Sequence, residues 1–116
     1  MQYLLLIYDN EAEFAGRGKD AMGTMMSEYQ TFTKGIIQNG NFKAGDALQP
    51  TSTATTVKVR GGKTMRTDGP FAETREQLGG YYLIEAKDLD EAIAIAARVP
   101  TAKTGSIEIR PVLVYS

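Results

Sequence analysis

The segment TDGPFAETREQLGG, from Thr67 to Gly80, places Asp68, Glu73, Arg75, Glu76 and Gln77 in one loop directly ahead of an aromatic and aliphatic run. Carboxylates beside a guanidinium suit two tasks: proton transfer, with Asp68 or Glu73 as general base, or charge-assisted recognition of an organic anion. The same residues equally suit a turn and a solvated surface. Asp68, Gly69 and Pro70 are turn formers, and a turn carboxylate readily accepts bonds from nearby backbone N–H groups. Glu73, Arg75, Glu76 and Gln77 alternate as exposed loops do, where ion pairs add little stability. Four further charges complete the candidate set. Glu108 and Arg110 share one face of the last strand, Arg66 precedes Asp68 by two residues, and Asp46 follows Gly45 near the end of the second strand. The expected convergence brings Asp68 and one acid of the loop to a pocket beside Arg110, whose charge, once buried, needs a carboxylate or an anionic ligand. Arg66 and Asp46 either reach the mouth of that cavity or stay surface charges.

Absences narrow the chemistry. The 116 residues include no Cys and no His, which excludes a thiolate nucleophile, a Ser-His-Asp triad, a Cys/His zinc site and an imidazole proton shuttle. No calcium-loop spacing and no phosphate-cradling glycine loop occurs, so neither a metal nor a cofactor is expected. The 13 basic and 14 acidic residues are dispersed and leave a net charge of -1. Without a basic stripe, nucleic acid is not an expected direct ligand. The apolar run YLLLIY is too short for a signal core or a membrane span, and the chain is read as cytoplasmic without membrane contact.

These residues must be positioned by a small set of elements. Gln2 to Tyr8 reads as a strand buried on both faces, and the next dozen residues as a loop. Met22, Met25, Met26, Tyr29, Phe32, Ile36 and Ile37 recur at helical spacing, predicting a helix from Asp20, its cap, to Gln38, with these side chains in the core. A strand from Phe42 to Leu48 follows, then a hairpin, VKVR and KTMRT around a GG turn. GYYLIEA predicts a central strand. DLDEAIAIAARV predicts a helix capped by Asp88, with Leu89, Ala92, Ile93, Ala96 and Ala97 on its buried face. The last strand is SIEIRPVLVY. The order is β-α-β, hairpin, β-α-β, which fits a single α+β domain over residues 1–116, a ferredoxin-like sandwich with two helices on one face of an antiparallel sheet. Leu4, Leu6, Tyr81, Leu83 and Val112 then fall on the other face. A bare apolar face calls for a partner, and a symmetric sheet-to-sheet homodimer meets that need.

DGPF at Asp68–Phe71, followed by REQLGG, together with ALQPTSTATTVKVRGGKT and SIEIRPV, closely resembles the YCII-related proteins of the DGPF family along nearly the whole chain. The resemblance implies a dimeric α+β barrel, and a functional link to an extracytoplasmic-function sigma factor, since some members are attached to or encoded beside one. The wider superfamily is associated with an active site built on a His and an Asp, and barrel relatives include isomerases and dehalogenating enzymes acting on lactones. This chain has no His, so that pair does not carry over, although Asp46 occupies a comparable loop position. Two functional expectations result. One is a binding or regulatory module holding a small organic anion through Arg110 and Arg66, with Asp46, Glu108 and Gln77 nearby. The other is an isomerase, lyase or lactone-type enzyme with Asp68 or Glu73 as base and Arg110 stabilising developing negative charge.

Overall fold

Residues 1–115 are described by a computed structural model of the chain. The elements run β1 (Gln2–Asp9), α1 (Glu11–Ala15), α2 (Lys19–Gln38), β2 (Phe42–Ala47), β3 (Thr55–Arg60), β4 (Lys63–Asp68), β5 (Gln77–Glu85), α3 (Leu89–Ala97) and β6 (Ser106–Pro111), with 3-10 turns at Thr51–Thr53 and Pro100–Lys103. Four strands form an antiparallel sheet in the order β2-β5-β1-β6. This is the α+β, ferredoxin-like arrangement that the element order predicts. β3 and β4 pair only with each other. Gly61 and Gly62 turn this hairpin with φ of 58° and 76°, the left-handed pair that a two-residue turn of this twist requires.

Successive side chains of a strand point to opposite faces, and β1 shows the consequence directly. Tyr3, Leu5 and Ile7 are buried, joined by Tyr82 and Ile84 of β5, Phe32 and Ile36 of α2, and Ala92, Ile95, Ala96 and Val99 of α3 and its exit. Leu5, Ile36, Ile84 and Val99 are wholly enclosed, and each such side chain contributes about 1.5–3 kcal/mol relative to exposure. Tyr82 sits at the middle of this core, edge-on to Phe32 at 5.3 Å and to Phe42 at 6.3 Å between ring centres. Its hydroxyl shares a 2.6 Å hydrogen bond with Thr33, and that of Tyr29 a 2.5 Å bond with Thr101. Both rings can therefore pack in the core without orphaning a polar atom.

Several elements differ from expectation. β1 is covered on one face only by its own chain; Leu4 and Leu6 are half-buried on the other. The stretch between β1 and α2 is not all loop: Asn10 accepts from the Glu13 backbone at 2.9 Å and starts α1. Helix α2 begins at Lys19 after Gly18, so Asp20 lies inside the first turn, where its charge favours the helix dipole. Of the apolar residues assigned to the α2 core face, Phe32 and Ile36 are buried and Tyr29 packs against the core, Met22 and Met25 are only half-buried, and Met26 and Ile37 are 65% and 54% exposed. Met22, Met25, Tyr29, Phe32 and Ile36 keep alternating spacings of three and four, whereas Met26 and Ile37 fall on the adjacent stripe. In α3 the buried face is Ala92, Ile95 and Ala96, with Leu89, Ile93 and Ala97 exposed. Asp88 caps that helix as expected, accepting from the Glu91 backbone at 2.9 Å. β2 stops at Ala47, and β6 at Pro111, although Val112 N–H still donates to the Gln2 carbonyl at 3.0 Å.

The approach to β6 passes close against the β1 backbone. A Cβ added at Gly105 would lie 2.0 Å from the Tyr8 carbonyl oxygen. Gly105→Ala must push the entry to β6 away from β1, and we expect a loss of about 1–3 kcal/mol, or more if the ladder opens. A lowered urea midpoint in that variant checks this; an unchanged midpoint contradicts the close approach.

Candidate ligand-binding face

The helices leave the opposite face of the sheet uncovered, and register sorts that face into rows. One row runs Asp46, Tyr81, Leu6, Glu108 across β2, β5, β1 and β6; the next runs Ala44, Leu83, Leu4, Arg110. Leucines thus occupy the middle and charges the edges. The central side chains Leu4, Leu6, Tyr81 and Leu83 are half-buried. With strands spaced about 4.8 Å apart, the two edges lie about 14 Å from each other, so Asp46 and Arg110 face one another across an apolar floor without touching.

Asp46 reaches this face through an irregularity in β2. Phe42 pairs with Ile84 and Ala44 with Leu83, leaving Lys43 as an extra residue. A one-residue bulge reverses the facing of everything beyond it. Phe42 therefore points into the core while Asp46 points away from it, and the intervening Gly45 passes Tyr82, whose Cδ1 would lie 2.7 Å from a Cβ there. A second bulge between Ile7 and Tyr8 is absorbed at Gly79, and Gly80 lets the β2 backbone pass, since a Cβ there would be 3.0 Å from the Asp46 carbonyl oxygen.

Tyr81 donates to the Asp46 carboxylate at 2.7 Å. That bond, and secondly the carboxylate's negative charge, raise the phenol above its ordinary value, because ionisation would break the bond and bring two negative charges together. At the other edge, Glu108 Oε2 lies 4.0 Å from Arg110 Nε, and the Arg110 side chain is 70% exposed. Its guanidinium keeps donors for another acceptor.

The remaining expected site residues lie elsewhere. Asp68 ends β4 opposite Thr55, and Arg66 stands opposite Val57, both exposed on the hairpin. Glu73 is exposed in the loop that returns to β5. Among the described residues, no hydrogen bond or ion pair joins Asp68 or Glu73 to Arg110. Gln77 braces that loop: its carbonyl accepts from the Glu11 backbone at 2.9 Å and its amide donates to the Thr74 carbonyl at 2.6 Å.

A polar network at the same end of the sheet escaped the sequence reading. The Asp9 carboxylate accepts from Asn10 N at 2.9 Å, from Arg17 Nη1 and Nη2 at 3.0 and 3.5 Å, and from the Thr104 hydroxyl at 3.3 Å. Glu11 accepts from the Thr51 backbone and hydroxyl, both at 2.8 Å; Asn10 Nδ2 donates to the Arg75 carbonyl at 3.2 Å; and Ser106 donates to Glu76 at 2.8 Å. With their oxygens so occupied, Asp9 and Glu11 hold the loops together and are poorly placed for proton transfer. The one available sequence signal was Asn10 three residues ahead of Glu13, the spacing of a helix cap.

The model of the YCII-related domain matches residues 1–116, and the chain belongs to that family. It is 36% identical over 117 residues to an uncharacterized protein of Rhizobium meliloti (strain 1021), a match spanning 99% of this chain and 94% of that protein. Among the described residues, no helix is long and apolar enough to cross a membrane.

The Asp46–Tyr81 pair makes a spectroscopic prediction. Two tyrosines, Tyr29 through burial and Tyr81 through this bond, should form phenolate above the ordinary tyrosine range of about 10, and Asp46→Asn should lower the midpoint of Tyr81 alone by removing the charge while leaving an acceptor. Because the folded pKa is the higher one, this pair stabilises the fold at neutral pH and loses its effect as pH rises through that range. Ultraviolet titration of the two proteins reads the difference; identical curves would mean that the bond does not form.

Proposed function

We propose that this protein is a small-ligand binding module that acts as a symmetric dimer, with two open sheet faces packed together around a cavity for a small organic anion. The observation that carries this reading is the composition of the uncovered face: leucines at the centre, a phenol and carboxylate at one edge, a guanidinium at the other. Such an apolar floor gains roughly 25 cal/mol per Å² on being covered, and a second copy of the same face is a self-complementary cover. A ligand with a carboxylate and an apolar body matches the floor and Arg110 together. Asp46 and Glu108 limit the edges of the cavity, Gln77 holds the loop at its mouth, and Arg66, which its own chain holds on the hairpin away from this face, is a second cation for a ligand in the partner's half of the cavity.

An enzymatic reading of the same cavity is favoured by one observation: Asp68 and Glu73 enter no ion pair or side-chain hydrogen bond among the described residues. Either, brought to Arg110 by the second copy because its own chain does not place it there, would serve as general base in isomerase, lyase or lactone-type chemistry, with Arg110 stabilising the negative charge that develops. We also infer a cytoplasmic site of action and, on the family resemblance alone, a functional link to an extracytoplasmic-function sigma factor.

A thermal-shift series with aliphatic carboxylates, aromatic carboxylates and lactones tests the binding reading. At 100 times its dissociation constant a ligand should stabilise the fold by about 2.7 kcal/mol, and Arg110→Ala should abolish the shift while leaving the unliganded melting temperature nearly unchanged. Equal shifts in wild type and variant would remove Arg110 from the site. No shift with any of the three classes would contradict the anion reading itself. Turnover of a bound lactone, lost in Asp68→Asn or Glu73→Gln, would move the assignment to enzyme.

A further inference from the structure

The β3–β4 hairpin is a second surface that its own chain leaves uncovered. It pairs with no strand of the main sheet, and Val57, Val59 and Met65 are 59%, 58% and 52% exposed. An isolated two-stranded hairpin is marginal in water and needs a surface to pack on. The molecule is correspondingly extended, with a radius of gyration of 16.2 Å against about 13 Å for a compact chain of this length.

Charge indicates what that surface is. Lys58, Arg60, Lys63 and Arg66 lie within Thr55–Asp68 with a single acid, Asp68, so these residues carry +3 and the rest of the chain -4. By register, Val57, Val59 and Arg66 share one face, and Lys58, Arg60, Lys63 and Met65 the other. Two hairpins placed together would oppose cation to cation, which disfavours hairpin-to-hairpin pairing. A nucleic acid would meet the cations but also a body of -4. The acidic body of a second copy offers opposite charge to the cations and protein surface to the valines.

We propose that the β3–β4 hairpin of each copy is a docking arm that packs on the acidic body of the other. The arm adds to the sheet-to-sheet dimer of the preceding reading, on which it rests, a contact that is electrostatic and therefore sensitive to salt. Val57 and Val59 supply the apolar contact with Arg66 as the cation on their face, while Lys58, Arg60 and Lys63, on the outward face, give the arm most of its positive field.

The absence of Cys from the chain makes Lys58→Cys a unique attachment point for a photoactivated cross-linker near the arm's tip. Isotopically light and heavy chains so labelled are mixed, irradiated and digested. The expected result is light-to-heavy cross-links from the arm to residues 1–47 or 77–111, reduced severalfold in about 1 M salt, where the screening length is about 3 Å. The triple variant Lys58→Glu, Arg60→Glu, Lys63→Glu turns the arm from +3 to -3 against a body of -4 and should raise the dimer dissociation constant at least about tenfold, with an unchanged circular dichroism spectrum. A dimer whose arm cross-links only within its own chain overturns the arm and leaves the sheet-to-sheet dimer standing; a monomer at every concentration overturns both. Cross-links between copies without any ligand-induced shift would overturn the cavity's function and not the arm. A triple variant that dimerises normally but is no longer retained by a DNA oligonucleotide would assign the arm to nucleic acid and overturn the proposal.

Discussion

Leu5 and Leu6 are the same residue one position apart, yet Leu5 is fully enclosed beneath the helices while Leu6 lies half-buried on the open side. The strict two-residue period of a strand imposes that division, and the rest of the structure depends on it. Helices α2 and α3 cover one face of the four-stranded sheet, so every strand must supply apolar side chains there. Tyr3, Leu5, Ile7, Tyr82 and Ile84 do so, with Ile107 and Ile109 packed against them. Because the alternate positions are also apolar in β1 and β5, the fold builds a second apolar surface that its own helices do not reach.

The bulges give that surface its polar edge. Had β2 paired without the extra residue at Lys43, the parity that sends Phe42 into the core would have sent Asp46 with it, toward Tyr82 and the helices. An unpaired carboxylate there would be costly. The bulge turns Asp46 to the open side, where the Tyr81 hydroxyl meets it. Gly45 and Gly80 make the arrangement sterically feasible, since side chains at either position would press on Tyr82 or on the neighbouring backbone. At the end of the sheet, Asp9, Glu11 and Gln77 tie β1, α1, the Thr51 turn and the loop before β5 into one base from which the hairpin projects.

How much of this was legible in the sequence follows from which signals are local. Gly61–Gly62 between alternating strands, and Asp88 three residues before Glu91, each specify a local geometry that tertiary context has no reason to override, and both appear as read. Helix periodicity located α2 but overstated its buried stripe, because sequence spacing does not say how wide a face the sheet can receive; Met26 and Ile37 lie beyond its reach. Arg110 and Glu108 were placed on the open face correctly by period two. Tyr81 was placed there as well, but its bond to Asp46 depends on a bulge that no residue type announces. The ties of Asp9 to Thr104 and of Glu11 to Thr51 join positions far apart in sequence, and that of Asp9 to Arg17 depends on α1 folding between them; the turn chemistry of the loop gave no sign of any of the three.

A ligand cavity on the open face exists only if a second copy covers it. Sedimentation equilibrium of the wild type and of Leu6→Asp decides it. The side chain of Leu6 is outside the core, so an acid there should spare the monomer's fold while opposing apolar contact between two faces. We predict a wild-type mass of twice the 12.6 kDa chain and a folded Leu6→Asp monomer. A wild type that sediments as a monomer, or a Leu6→Asp variant that dimerises as tightly as the wild type, would contradict the central claim.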